Sequence, residues 1–188
     1  MNLVRTRLDI EDFILETMRS PIDRLQLSQL QTWVADLDLK DDLFQQHIAF
    51  CNQGYRRTLV CRTSRFDMLI LCWKPGQSST IHDHADSLNV TRVYRGELTS
   101  RLFEQVDSPQ GRCCPDLSVA AVRLQREERL QRNALATVDR HQIHQLANTS
   151  DENLVTLHIY ARPLKTIQIY CPQSGHVNQM PVQYDLAA

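Results

Sequence analysis

The sequence predicts a mainly β fold with a helical N-terminal segment, and two changes of pattern carry that expectation. From Tyr55 onward the chain breaks into short runs rich in β-branched and aromatic residues, among them RRTLVCR, DMLILCW, ALATVDR, LVTLHIYA and KTIQIYC. Turn-forming clusters such as KPGQSS, NTSDEN and PQSGHVN separate these runs, a spacing that points to an antiparallel sandwich or barrel. Before Tyr55 the period is helical instead: Leu8, Ile10, Phe13, Ile14 and Met18 recur at steps of three and four, as do Leu27, Leu30, Trp33, Val34 and Leu37.

The elements follow in order. Two or three short helices occupy residues 1–50, broken at Ser20-Pro21, with Asp41-Asp42 opening a last helix that ends near Phe50, since acidic residues suit a helix N-terminus. Residues 55–176 form the β part, and the Pro- and Gly-containing stretch Asp107 to Asp116 is the expected long exposed loop. With 188 residues, one domain spanning 1–188 can bury a core without covalent staples.

Charge narrows the function classes. The net charge is -1, from 21 basic and 22 acidic side chains, which gives no electrostatic reason to expect nucleic acid or an anionic membrane as partner. No apolar run approaches the length of a membrane span, and the charge-interrupted N-terminus does not read as a signal peptide, so a cytoplasmic location is expected. The six cysteines, Cys51, Cys61, Cys72, Cys113, Cys114 and Cys171, lack CxxC spacing and are expected to be reduced thiols.

The segment STIHDHADS places His82 and His84 two apart, so on a strand both imidazoles leave the same face and can share a metal. An HxH pair alone is a weak signal in a chain with seven histidines; the frame around it carries more weight. Gly76, five residues, His82-x-His84, four residues, Asn89, six residues and Gly96 match the spacing of the first cupin motif. The second motif survives in part as HQLAN, with His144 and Asn148, while Asp139 and His141 replace the expected proline and glycine ahead of it. This resemblance implies a cupin (jelly-roll-like) β-barrel whose two motifs face each other, with His144 as third ligand beside His82 and His84. Asn89 stands where a cupin has glutamate, so the ligand set is three neutral imidazoles. Such a set leaves a divalent metal its full charge and favours anionic donors, and iron(II) rather than zinc suits chemistry with dioxygen.

From Tyr55 to about His176 the chain resembles the cysteine dioxygenase family, a three-histidine iron branch of the cupins. LILCWKPGQSSTIHDHADS is similar to that family's strand and metal loop, TLHIYARP to its strand bearing a histidine and a tyrosine two apart, YRRTLV to the segment that binds the substrate carboxylate, and SGHVN to its closing turn. The resemblance implies oxidation of L-cysteine by dioxygen to cysteine sulfinic acid at a mononuclear iron(II) site, with the thiol bound as thiolate. It assigns Arg57 and Tyr55 to the substrate and Tyr160 and His158 to catalysis, with Thr156 completing a relay. Arg56 is the neighbouring decoy, because strand alternation turns it to the other face.

Two departures are informative. Animal members carry, at the Asn89 position, a cysteine that joins the tyrosine; Asn89 cannot form that thioether, as in many bacterial members. Ala161-Arg162 replaces a Ser-Pro pair, so Arg162 faces solvent or adds a second cation near the substrate. The alternatives are a dioxygenase for 3-mercaptopropionate or another small thiol, and a cupin that binds metal without catalysis. The latter has no need of the Arg57, His158 and Tyr160 set. No partner beyond a small thiol and dioxygen is expected, and the chain is expected to be a monomer or weak homo-oligomer.

Overall fold

The computed structural model describes residues 8–39, 44–106 and 121–186. Helix α1 (Ile10–Arg19) starts where the Asp9 side chain accepts a hydrogen bond from the Asp12 amide at 2.8 Å, with Glu11 and Asp12 in the first turn, where carboxylates complement the exposed N–H groups. It stops at Ser20, which takes an extended backbone ahead of Pro21. A single 3₁₀ turn (Ile22–Arg24) leads to α2 (Leu27–Asp36). Phe13, Leu30 and Val34 are fully buried, and Ile10, Ile14 and Trp33 pack beside them. Met18, counted in the apolar stripe of the sequence, is 43% exposed, and Thr17 takes the buried position instead. The last helix expected from Asp41 to Phe50 begins outside the described residues; within them only Phe44 and Gln45 are helical. The expected 107–116 loop also lies outside them.

Twelve strands follow among the described residues: β1 (Arg56–Arg62), β2 (Phe66–Trp73), β3 (Ile81–Asp83), β4 (Leu88–Arg95), β5 (Leu98–Val106), β6 (Ala121–Leu130), β7 (Leu135–Val138), β8 (Ile143–Ala147), β9 (Leu154–Ala161), β10 (Thr166–Tyr170), β11 (Val177–Pro181) and β12 (Asp185–Leu186). They form two six-stranded sheets, one in the order β12-β1-β2-β9-β4-β7 and the other β11-β10-β3-β8-β5-β6. The pairs β2/β9 and β4/β9 are antiparallel over eight and seven registered positions, and β12 joins β1 in parallel.

The first sheet is buried on both faces, which is why β2 and β9 read as continuous apolar runs rather than alternating ones. Met68, Ile70, Cys72, Val155, Leu157 and Ile159 pack against the helices. The opposite set, Leu69, Leu71, Trp73, Leu154 and Tyr160, packs in a second cluster with Leu98 and Leu146 of the other sheet. Arg57, His158 and Tyr160 sit on this inner face, turned toward the other sheet.

The closed barrel expected from the sequence is not what forms: neither sheet closes on itself, and among the described residues no ladder joins the two. The free edges are β12 and β7 on one sheet and β11 and β6 on the other. Closure needs continuous hydrogen bonding at a constant stagger around the ring, which edge strands of two residues (β12) and four residues (β7) cannot supply. Two sheets packed face to face achieve the same burial without it. At one corner the chain passes from β4 to β5 through Gly96, whose φ of +86° and close approach to the Asn153 backbone exclude a side chain.

Candidate metal centre

His82 lies on β3, His84 just beyond its end, and His144 on β8, where it sits directly opposite His82 in the antiparallel register. The Nε2 atom of His84 is 3.1 Å from Nε2 of both His82 and His144. All three residues are buried, with 1 to 7% of their surface exposed. His82 Nδ1 donates to the Thr80 carbonyl at 2.9 Å, which directs its Nε2 lone pair into the cluster. Burial pushes the His82 pKa down to about 4 and those of His84 and His144 well below the usual imidazole value, with charge on neighbouring histidines adding to the effect on His84 and His144.

Three neutral imidazoles with converging lone pairs repel one another unless a cation sits between them. For metal–nitrogen bonds of about 2.1 Å, a 3.1 Å nitrogen separation subtends about 95°, close to the right angle of an octahedral face and short of a tetrahedral angle. The residues therefore fit a divalent metal held on one face with its other positions open, as non-haem iron(II) requires. The approach to His144 uses a turn in which His141 has φ +59°, so a histidine adopts the left-handed backbone that the motif's glycine would supply. Behind β3, Tyr170 donates to Asp83 at 2.7 Å and the Ala85 amide donates to the same carboxylate at 2.9 Å, fixing the loop that carries both histidines.

Across the gap, β1 and β9 present the other residues singled out in the sequence. Arg57 is registered with Leu71, on the inner face, whereas Arg56 points the other way and approaches Asp185 at 3.6 Å. The Arg57 Nε and Nη2 atoms are shielded from water and have no hydrogen-bond partner among the described residues. Desolvation opposes the guanidinium charge, but Tyr160, Tyr55 and Tyr184 around it outweigh that and hold its pKa above the ordinary arginine value. Its charge in turn depresses the pKa of His82, His84 and His158, so it lies close to the cluster. Tyr55 stacks on Trp73 with centroids 4.1 Å apart.

Tyr160 meets the His84 ring edge-on at 5.0 Å, and burial pushes its phenol up to about 12 despite the nearby Arg57. Thr156 Oγ1 lies 2.8 Å from His158 Nε2, and the Tyr160 hydroxyl 3.4 Å from His158 Nδ1. Asn89, at the glutamate position of the first motif, is not turned to the metal: its Nδ2 donates to the Ile159 carbonyl at 3.1 Å. Arg162 is bound to Asp23 and half exposed, and it and His84 both line an opening of about 610 Å³. Its guanidinium faces outward; the Ala161–Arg162 peptide is cis.

Sequence reasoning missed Thr91, Trp73 as a hydrogen-bond donor, and the pair Asp67–Tyr184. Thr91 was accessible, being two residues after Asn89 on the same strand face. Asp67 and Tyr184 had no such signal: the Tyr184 hydroxyl donates to the buried Asp67 carboxylate at 3.0 Å across 117 residues, while its ring lies 5.6 Å from the Arg57 guanidinium.

The comparisons with known proteins agree with this geometry. The chain is 27% identical over 165 residues to "Cysteine dioxygenase type 1" of Rattus norvegicus, covering 86% of this chain and 78% of the relative. It is 32% identical over 134 residues to the Bos taurus protein of the same name, covering 70% and 62%. Among solved structures, TT1209 from Thermus thermophilus shares the fold at a TM-score of 0.51 and 18% identity, covering 64% of this chain and 94% of that one. The sequence model described as "Cysteine dioxygenase type I" matches residues 8–173, from the start of α1 to the turn after β10, and on that match the chain belongs to the cysteine dioxygenase type I family.

Proposed function

We propose that this single-domain chain oxidises L-cysteine to cysteine sulfinic acid as an iron(II)-dependent thiol dioxygenase, with His82, His84 and His144 holding the metal. The observation that carries the substrate is a guanidinium with two buried, unpartnered nitrogens close to a neutral three-histidine cluster. Iron(II) bound there would favour thiolate over thiol and bring sulfur and dioxygen together, the sulfur giving up the four electrons that reduce both oxygen atoms it receives.

The protein's own groups do the rest. The forked guanidinium of Arg57 satisfies its orphaned N–H groups on the substrate carboxylate, fixing the amino acid in one orientation. Tyr184 and Tyr55 support that arginine, the first by its ring at 5.6 Å and the second from the stack on Trp73. Tyr160 keeps its proton at neutral pH, because burial raises its pKa to about 12, and so its hydroxyl is a donor near the three-histidine cluster. His158, also neutral, holds that tyrosine in place. Burial of the three histidines, His158 and Tyr160 excludes water from the contacts among them.

None of the described helices is long and apolar enough to cross a membrane. We further propose a cytoplasmic protein that works as a monomer or weak homo-oligomer on a small thiol and dioxygen, without nucleic acid. The test is oxygen uptake by the iron(II)-loaded protein on L-cysteine and on 3-mercaptopropionate, with the product identified by mass. A gain of two oxygens on cysteine supports the reading. Equal or reversed preference would sink the assignment to cysteine, and disulfide as the only product would sink dioxygenation.

A further inference from the structure

We infer that Thr91 and Asn89 are positioning residues that fix the tautomer of His158, so that Tyr160 is left with its hydroxyl proton directed into the pocket. The inference deepens the dioxygenase reading and rests on it for its catalytic consequence.

The hydrogen bonds of the inner face form one chain whose two ends have fixed polarity. At one end the Trp73 indole, which can only donate, lies 3.0 Å from Thr156 Oγ1. Thr156 thereby accepts from Trp73, and the acceptor open to its own proton is His158 Nε2 at 2.8 Å. At the other end the Ile159 carbonyl, which can only accept, takes a bond from Asn89 Nδ2 at 3.1 Å, and this turns the Asn89 Oδ1 toward Thr91. Thr91 Oγ1 donates to that oxygen at 3.1 Å and so accepts from His158 Nδ1 at 3.0 Å. Assigned from either end, the network places the His158 proton on Nδ1 and the lone pair on Nε2.

The consequence falls on Tyr160. Its hydroxyl oxygen is 3.4 Å from the protonated Nδ1, farther than Thr91, so it can only be a second, weaker acceptor there. A phenol that accepts from histidine keeps its own proton for another partner, and the neighbour on that side is the metal cluster, with the His84 ring 5.0 Å away. Without Thr91, Nδ1 would have only Tyr160 as partner, and the alternative tautomer would take the tyrosine proton back. Asn89, Thr91, Thr156 and His158 are all no more than 1% exposed, so water does not compete for these bonds.

The test is long-range proton–nitrogen NMR on ¹⁵N-histidine-labelled full-length protein loaded with zinc(II), a diamagnetic substitute, with His158→Gln assigning the resonances. The expected wild-type spectrum has a protonated Nδ1 and an unprotonated Nε2 at His158. Protonated Nε2 in the wild type overturns the inference and needs no variant to be folded. Thr91→Val should give a mixture of tautomers and Thr91→Ser should restore the single one; a Thr91→Val spectrum unchanged from wild type also overturns it. In the iron(II) protein, Thr91→Val should lower kcat on cysteine about tenfold with KM within about twofold, and Thr91→Ser should recover it. A raised KM at unchanged kcat counts against the role given to Tyr160. Failure of the wild type to oxidise any thiol refutes the proposed function alone, since the NMR arm decides the network independently.

Discussion

Arg57→Met exchanges a guanidinium for an unbranched apolar side chain of similar length, and the structure makes two opposed effects of it calculable. In the free protein the Arg57 Nε and Nη2 atoms are buried without a partner among the described residues, and each unsatisfied buried donor costs about 1–3 kcal/mol. The compensating contact with the Tyr184 ring at 5.6 Å is worth about 1 kcal/mol. Removing the guanidinium should therefore stabilise the substrate-free protein by about 1–5 kcal/mol, a rise in Tm of about 3–15 °C for a chain of this size. With substrate the sign reverses. Truncating one member of a desolvated charge pair costs about 2–5 kcal/mol, so KM for cysteine should rise about 30-fold or more. Thermal unfolding of the metal-loaded protein and steady-state oxygen uptake measure the two effects side by side. Added substrate analogue should raise Tm in the wild type and leave the variant unmoved. A variant that melts lower while keeping its KM would refute the reasoning, because Arg57 would then be a structural cation. Arg57→Lys retains charge without the fork and should fall between the two in KM.

Three further outcomes follow from other parts of the molecule. Asp67→Asn removes the charge from a fully buried carboxylate that Arg62 engages at 2.7 and 2.9 Å and to which Tyr184 donates; because Arg62 is half exposed, the loss should be about 2 kcal/mol, read as a fall of about 1 M in the urea midpoint. Gly96→Ala should destabilise by about 3 kcal/mol, since its Cβ would lie 2.7 Å from the Asn153 carbonyl oxygen at a positive φ, whereas Gly76→Ala, with open space around it, should cost about 1 kcal/mol; equal midpoints in chemical denaturation would contradict this ranking. The metal-free protein should lose stability in acid: His82 is held near pKa 4 against about 6.5 when unfolded, so below pH 6.5 the unfolded chain binds a proton that the folded one refuses. That contribution is intact above pH 6.5 and declines by about 3 kcal/mol by pH 4, with His84, His144 and His158 acting in the same direction; a flat pH–stability profile between 6.5 and 4 would exclude it.

Much of the site is written in local pattern. The period-two spacing of His82 and His84 fixes their common face before any partner strand is known, and the same alternation separates Arg57 from Arg56 on β1. The helical stripe through Phe13, Leu30 and Val34 likewise needs only the 3.6-residue period. In each of these cases the information lies within a few residues, because side-chain direction follows from the backbone's own repeat.

What the sequence left open depends on which strand lies beside which, and in what register. His144 reaches His84 at 3.1 Å because β8 pairs with β3 across 60 residues, and the Asn89–Thr91–His158 chain exists because β4 lies against β9 with Thr91 opposite His158. The same long-range pairing decides that the two sheets stay open, since short edge strands offer no ladder with which to close a barrel. Arg162 was undecided between solvent and substrate, and Asp23, 139 residues away, binds it at the surface. Periodicity determines the face on which a residue stands; the packing of distant segments determines what it meets there.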